Sequence, residues 1–237
     1  MAEDDAPGSL VVDPPAPVTL PVRGRTGRFP VHRVFCVGRN YAEHAVEMGH
    51  DPDREPPFFF EKAPSCVLPP GVDVVYPPRT TEVHHEIEFV VAIGRTAAAV
   101  TADAALDHVY GYAVGLDMTR RDLQAAAKAS GRPWDAAKSF DGAAPMSPVI
   151  PATVAGHVDA GSIVLEVDGD ERQRGDLAQM IWRPAEIIAE LSALVVLRPG
   201  DLIMTGTPAG VGSVHPGDRL HGRVDGVAEL DVNIIDP

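Results

Sequence analysis

The stretch HHEIEFVVAIG, residues 84–94, decides the fold. It begins polar and becomes continuously apolar, the pattern of a strand that enters a core from a wet cleft and is covered on both faces. Glu86 and Glu88 stand two residues apart in this strand. At a rise of about 3.3 Å per residue their side chains share one face, about 6.6 Å apart along the chain. Taken alone, such a pair is more often a solvated strand face than a metal site. Here the apolar run Phe89–Ile93 follows at once, so the carboxylates sit at the edge of a buried element, where their repulsion is costly without a cation. His84 falls on the same face by period two, and His85 points the other way as a packing or hydrogen-bonding residue.

The next run, VYGYAVGLDMT (109–119), reads as a second core strand that delivers Asp117 at its end. Asp117 is then the natural third carboxylate. Three oxygen donors suit a hard cation such as Mg²⁺ better than Zn²⁺, which prefers His and Cys, and Mn²⁺ is chemically close to Mg²⁺. Upstream, RVFCVG (33–38) is a buried-strand run closed by Gly38, and Tyr41–Met48 has helical composition. His44 and Glu47 are three apart there, on one helical face. They fit a surface ion pair, or a dyad in which Glu47 raises the basicity of His44 for deprotonating a water.

Downstream, Arg120–Ser130 reads as an Ala-rich helix, and Pro184 opens another with an apolar stripe through Ile187, Ile188 and Leu191. Two Asp-Gly pairs, at 168–169 and 225–226, sit between strand-like runs and predict hairpins. Residues 1–32 are rich in proline and read as an extended arm, leaving 33–237 as one body. Gly and Pro together make roughly 19% of the 237 residues against about 12% expected. Many short strands with three or four helices give an α+β domain.

The formal net charge is −14, a field that repels phosphate backbones and anionic membranes and argues against both as partners. A metal ion with a few Arg or Lys can reverse that sign locally, so an anionic small molecule remains compatible. Cys36 and Cys66 are the two cysteines and form neither a metal pattern nor a disulfide framework. The N-terminus MAEDDAPGSL lacks the order of a signal peptide, and no apolar run nears the roughly 18 residues of a membrane span; the expected location is the cytoplasm. TGTPAGVG (205–212) makes a glycine-rich turn without the spacing or Lys of a P-loop.

Taken in order, CVGRNYAEHAVEMG (36–49), HHEIEFVVAIG (84–94), YAVGLDMTRRDLQ (112–124), GRPWDAAKSFD (131–141) and GDLIMTGTPAGVG (200–212) resemble the fumarylacetoacetate hydrolase superfamily. Within it, GHDPDREPPFFFEK (49–62) and RQRGDLAQMIW (172–182) look most like bacterial members that cleave fumarylpyruvate in gentisate breakdown. The resemblance implies a mixed β-sandwich roll, a homodimer and Mg²⁺ or Mn²⁺ held by Glu86, Glu88 and Asp117. It implies His44 and Glu47 as the water-activating dyad and Lys138 as the contact to the pyruvyl part. Arg121, Gln124 and Thr207 match positions that line the substrate pocket. One departure is Glu61-Lys62-Ala63-Pro64, where the family pattern has a small residue before the lysine and Lys-Pro directly.

The implied reaction is hydrolysis of the C3–C4 bond of a 2,4-diketo acid, releasing pyruvate as its enolate. Decarboxylation of oxaloacetate or a related 2-oxo diacid needs the same stabilised enolate, and a non-catalytic organic-acid binder would keep the same fold and metal. His44 and Glu47 favour hydrolysis, and the acyl group accepted is expected to depend on the loop Gly49–Pro57 and on the Pro-rich arm.

Overall fold

A computed structural model describes residues 10–42 and 55–237. The run that opens at His84 is divided at Glu86. Val83–His85 belongs to a three-stranded sheet with Thr119–Arg120 and Gly212–Val214, whereas Ile87–Ile93 lies inside a six-stranded sheet. The single strand expected over 84–94 therefore changes sheets at its first carboxylate. The hairpin partner follows it across the break: Glu88 pairs with Gly115, the Asp117 N–H donates to the Glu86 carbonyl at 2.8 Å, and His84 pairs with Thr119.

Ile87–Ile93 is buried along its whole length, as its unbroken apolar run predicts for a strand covered on both faces. It pairs antiparallel with Val109–Leu116 on one side and Leu202–Met204 on the other. Ile150–Pro151 closes the first edge, and Val34–Gly38 followed by Phe58–Lys62 closes the second. The Leu202–Met204 and Val34–Gly38 pair is parallel, so the sheet is mixed. Facing it is a five-stranded sheet in the order Asp170–Asp176, Ser162–Val167, Arg219–Val224, Ala228–Ile235 and Val74–Val75. Ala228–Ile235 alternates buried and exposed along its length, the mark of one wet face and one core face.

Two polar or small residues set how the sheets meet. Gly222 faces Ile87 so closely that a Cβ would lie 3.0 Å from the Ile87 Cδ1. Gln173, buried on the second sheet, accepts the Ile87 N–H at 3.0 Å and hydrogen-bonds the His85 ring at 2.9 Å. His85 is thus the buried hydrogen-bonding histidine that its strand parity suggests. Both Asp-Gly signals end in hairpins. Asp168 (φ 54°) and Gly169 (φ 85°) form a two-residue loop with positive φ at both positions, as a type I′ turn requires. The second loop is one residue longer, running Asp225–Val227, with Gly226 at φ 73°.

The helices cover the remaining apolar edges: Arg121–Ala129 and Pro184–Leu194 form where the composition places them, and Ile187, Ile188 and Leu191 are buried. In the proline-rich segment read as an extended arm, Thr19–Pro21 and Arg28–Pro30 pair antiparallel and place Leu20 and Phe29 in the core. The Tyr41–Met48 helical stretch lies almost wholly outside the described residues. No described helix is long and apolar enough to cross a membrane.

Gly111, in the strand that carries Asp117, has no room for a side chain: a Cβ would lie 2.2 Å from the Ile150 carbonyl oxygen. Gly111→Ala must push the edge strand away, and the expected loss is about 1–3 kcal/mol, read as a lower denaturation midpoint. An unchanged midpoint would contradict the packing described.

Candidate active site and metal centre

The hairpin places Glu86 and Asp117 side by side, because they are cross-strand neighbours, and Glu88 two residues along joins them on the same face. One carboxylate oxygen from each lies within 4.8 Å of the others, and all three residues are buried. Such a cluster needs cations, and three arrive from separate elements. Lys138, the last residue of the short helix Asp135–Lys138, sets its Nζ 2.8 Å from Glu86 Oε2 and 2.7 Å from Asp117 Oδ2. Arg121, the first residue of its helix, pairs with Glu86, donates to Gln124 Oε1 at 2.6 Å and reaches His84 Nδ1 at 3.2 Å. Lys62, fully buried at the end of Phe58–Lys62, lies with its Nζ 2.7 Å from Asp117 Oδ1 and donates to the carbonyls of Met118 and Lys138.

The charges shift one another. Burial, reinforced by Asp117 and Glu86, pushes the Glu88 carboxyl well above its ordinary range, against the Gly206 N–H, which donates to Glu88 Oε2 at 2.7 Å. Burial works against the Lys138 ammonium, but Asp117 and Glu86 outweigh it and hold its pKa above the usual lysine value. The two carboxylates thus favour the charged form of Lys138. Burial, with Arg121 adding, lowers His84, which faces Arg121 and Glu82 rather than the carboxylates.

The loop 205–207 supplies the opposite wall. Gly206 sits at φ 95°, and a Cβ there would lie 2.7 Å from the Asn40 Cβ, so glycine is needed both for the turn and for the close approach. Asn40, buried, donates to the carbonyls of Thr205 and Trp182 and accepts the Trp182 N–H. The Thr207 hydroxyl accepts from Gln173 Nε2 at 2.8 Å, so the inter-sheet glutamine also fixes a wall of the site. Val37, Phe60, Gln124, Trp134 and Thr207 line the cavity above the carboxylates.

Of the residues singled out in the sequence, Glu86, Glu88, Asp117, Arg121, Gln124, Lys138 and Thr207 all line this one cavity. His44 and Glu47 lie outside the described residues. Lys62 was given no role in the sequence because the segment around it departs from the family pattern, although period two from Phe58 and Phe60 puts it on the face of Phe60, which lines the cavity. Gln173 gave no contrast within the polar run 170–176.

The donor set fits a hard divalent cation. Among the described residues every candidate ligand atom is a carboxylate oxygen and no Cys or His belongs to the cluster, and Asp117 Oδ1 is buried with the Lys62 ion pair but no well-angled hydrogen bond. Zn²⁺ would favour nitrogen or sulfur, whereas Mg²⁺ and Mn²⁺ favour oxygen.

Removing Lys62 leaves Asp117 short of a buried counter-charge. Lys62→Met is expected to destabilise the metal-free protein by about 3–5 kcal/mol, and added Mn²⁺ should raise its melting temperature more than it raises that of the unaltered chain, because the ion replaces the lost positive charge. Thermal melts with and without Mn²⁺ check this; equal metal-induced shifts in both proteins would contradict it.

The sequence profile described as fumarylacetoacetate (FAA) hydrolase C-terminal matches residues 33–235. A fumarylpyruvate hydrolase from Ralstonia sp is 46% identical over 189 residues, 79% of this chain and 98% of that protein. The mitochondrial oxaloacetate tautomerase of Arabidopsis thaliana is 41% identical over 202 residues, 85% of this chain and 90% of its own. The crystal structure of fumarylpyruvate hydrolase from Pseudomonas aeruginosa in complex with Mn²⁺ and pyruvate superposes with a TM-score of 0.94 at 50% identity, covering 97% of this chain and 100% of that one. With a profile match over most of its length, relatives of this identity and the same mixed-sheet fold around a buried acidic cluster, the chain belongs to the fumarylacetoacetate hydrolase family.

Proposed function

We propose that the chain is a metal-dependent hydrolase that cleaves the C3–C4 bond of a 2,4-diketo acid, with fumarylpyruvate as substrate and fumarate and pyruvate as products. The observation that carries this reading is the floor of the cavity, where three buried carboxylates are matched by Lys62, Lys138 and Arg121. The similarity to enzymes named fumarylpyruvate hydrolase supports the choice of substrate.

Glu86, Glu88 and Asp117 would hold Mg²⁺ or Mn²⁺, which when bound supplies charge neutralisation and Lewis-acid polarisation of the 2-oxo group. Arg121, Gln124 and Thr207 would orient the pyruvyl carboxylate and its neighbouring oxygen through fixed donors. The imidazole of His44, backed by Glu47, would take a proton from the water that attacks C4. Collapse of that adduct breaks C3–C4 and leaves the electron pair on the pyruvyl fragment as an enolate, which C3 protonation converts to pyruvate. The Lys138 ammonium, held charged by Glu86 and Asp117, would stabilise the developing enolate without reorganising.

The same reading takes residues 33–237 as the catalytic unit with the N-terminal segment as an arm on it, the enzyme as a cytoplasmic homodimer, and gentisate breakdown as its setting. The match beginning at residue 33 supports the boundary. A second reading, turnover of oxaloacetate, is favoured by the similarity to a protein named oxaloacetate tautomerase and to an oxaloacetate decarboxylase of Dictyostelium discoideum.

The test is a product assay with Mg²⁺ or Mn²⁺ on fumarylpyruvate, acetylpyruvate and oxaloacetate in parallel. The expected result is metal-dependent fumarate release, reduced by at least ~100-fold in Glu86→Gln and Asp117→Asn, which remain folded. Carbon dioxide from oxaloacetate with no diketone cleavage would transfer the assignment to the second reading. Equal activity of those variants in EDTA would overturn the metal role.

A further inference from the structure

Above the neutralised floor, the same cavity carries two cations that the floor does not use. Arg121, Gln124 and Lys128 fall at i, i+3 and i+7 of the helix Arg121–Ala129, so one helix face lines the cavity. Lys128 is its outermost residue, with its Nζ 5.1 Å from the centre of the Trp134 ring. Arg39 lines the facing wall and follows Gly38 with φ at 60°, a left-handed backbone that a non-glycine residue adopts only when its surroundings impose it. Among the described residues neither Arg39 nor Lys128 has a carboxylate partner or a side-chain hydrogen bond. Burial and the nearby Arg121 and Arg39 lower the Lys128 pKa, with Glu86 opposing. In a chain of formal charge −14, two cations at the mouth of a cavity with no carboxylate partner among the described residues favour an anionic ligand there.

We propose that Arg39 and Lys128 seat a second carboxylate of the substrate, so that the enzyme selects acylpyruvates whose acyl end is itself a carboxylic acid over those that end in a methyl group. The inference rests on the diketo-acid reading of the floor and adds what the far end of the substrate must be. Phe60 and Trp134, whose rings stand edge-on 5.9 Å apart, wall the space between floor and mouth and suit a flat, unsaturated carbon chain. Beyond Arg39 the outer groove mixes Glu55, Glu61 and Asp135 with Arg132 and Lys138, so it offers no net positive charge to compete with the pair at the mouth. A short dicarboxylate with one acid group at the floor and the other at the mouth matches both charge patterns.

The test uses the intact metal-loaded protein with Lys128→Met and Arg39→Gln, and compares kcat/KM for fumarylpyruvate and acetylpyruvate. The expected result is a fall of about 10- to 100-fold in the fumarylpyruvate-to-acetylpyruvate ratio for each variant, the loss of one charged hydrogen bond. It should appear mainly in KM for fumarylpyruvate and should weaken its dependence on added NaCl. An unchanged ratio, whether both substrates decline together or neither does, would overturn the seat. If the unaltered protein turns over no diketo acid, the functional reading fails instead. Calorimetric titration with fumarate then decides the seat separately, with binding weakened by both substitutions supporting it and binding insensitive to them overturning it.

Discussion

Three carboxylates whose oxygens lie within 4.8 Å of one another in a buried site repel each other strongly, because the interior screens charge far less than water does. Much of the structure around the site answers that repulsion. The hairpin of Ile87–Ile93 and Val109–Leu116 brings the acids together at the rim of a sheet, and three cations converge on them from a strand end, a short helix and a helix start. Each cation comes from a different stretch of chain, so the site assembles only when those stretches have folded onto one another. Single buried ion pairs often do little for net stability. Here their arrangement gives a polar floor of defined geometry with one carboxyl, Glu88, pushed well above its ordinary range.

The two-sheet architecture makes that geometry stiff. Gln173 satisfies its amide through Ile87, His85, Thr207 and Pro208, which ties the second sheet to the strand of the carboxylates and to the loop that caps Glu88. Gly206 and Asn40 lock that loop against the end of Val34–Gly38. A site on strand ends with hydrogen-bonded supports is more precise than one on free loops. Substrate discrimination then falls to the mouth, where Arg39, Lys128 and the aromatic wall meet solvent.

The carboxylates were legible because their signal is local: period two links Glu86 to Glu88, and Asp117 closes an apolar run. The sheet change at Glu86 was not, since the backbone stays extended through it and only the pairing partners differ. Lys62 stood out in the sequence only as the lysine of a segment that departs from the family pattern, and the fold supplies what the motif left open by setting its buried Nζ 2.7 Å from Asp117. Gln173 sits in a strand-like run that is polar throughout, with no apolar alternation to mark an inward face, and only the opposing sheet reveals why it is buried. The N-terminal hairpin was masked by prolines, whose extended bias is as compatible with an edge strand as with a free arm; Leu20 and Phe29, both buried, were the residues that could have tipped the choice. Five ordered segments carried the family resemblance, a long-range pattern that survives when single motifs are weak.

The central claim is that Glu86, Glu88 and Asp117 together hold a divalent cation. The most direct measurement is Mn²⁺ binding followed by electron paramagnetic resonance on the intact protein and on Glu88→Gln, with circular dichroism confirming that both are folded. The account predicts about one Mn²⁺ bound per chain, with affinity lowered by at least ~10-fold in the variant. Equal Mn²⁺ affinity in the two proteins would contradict it.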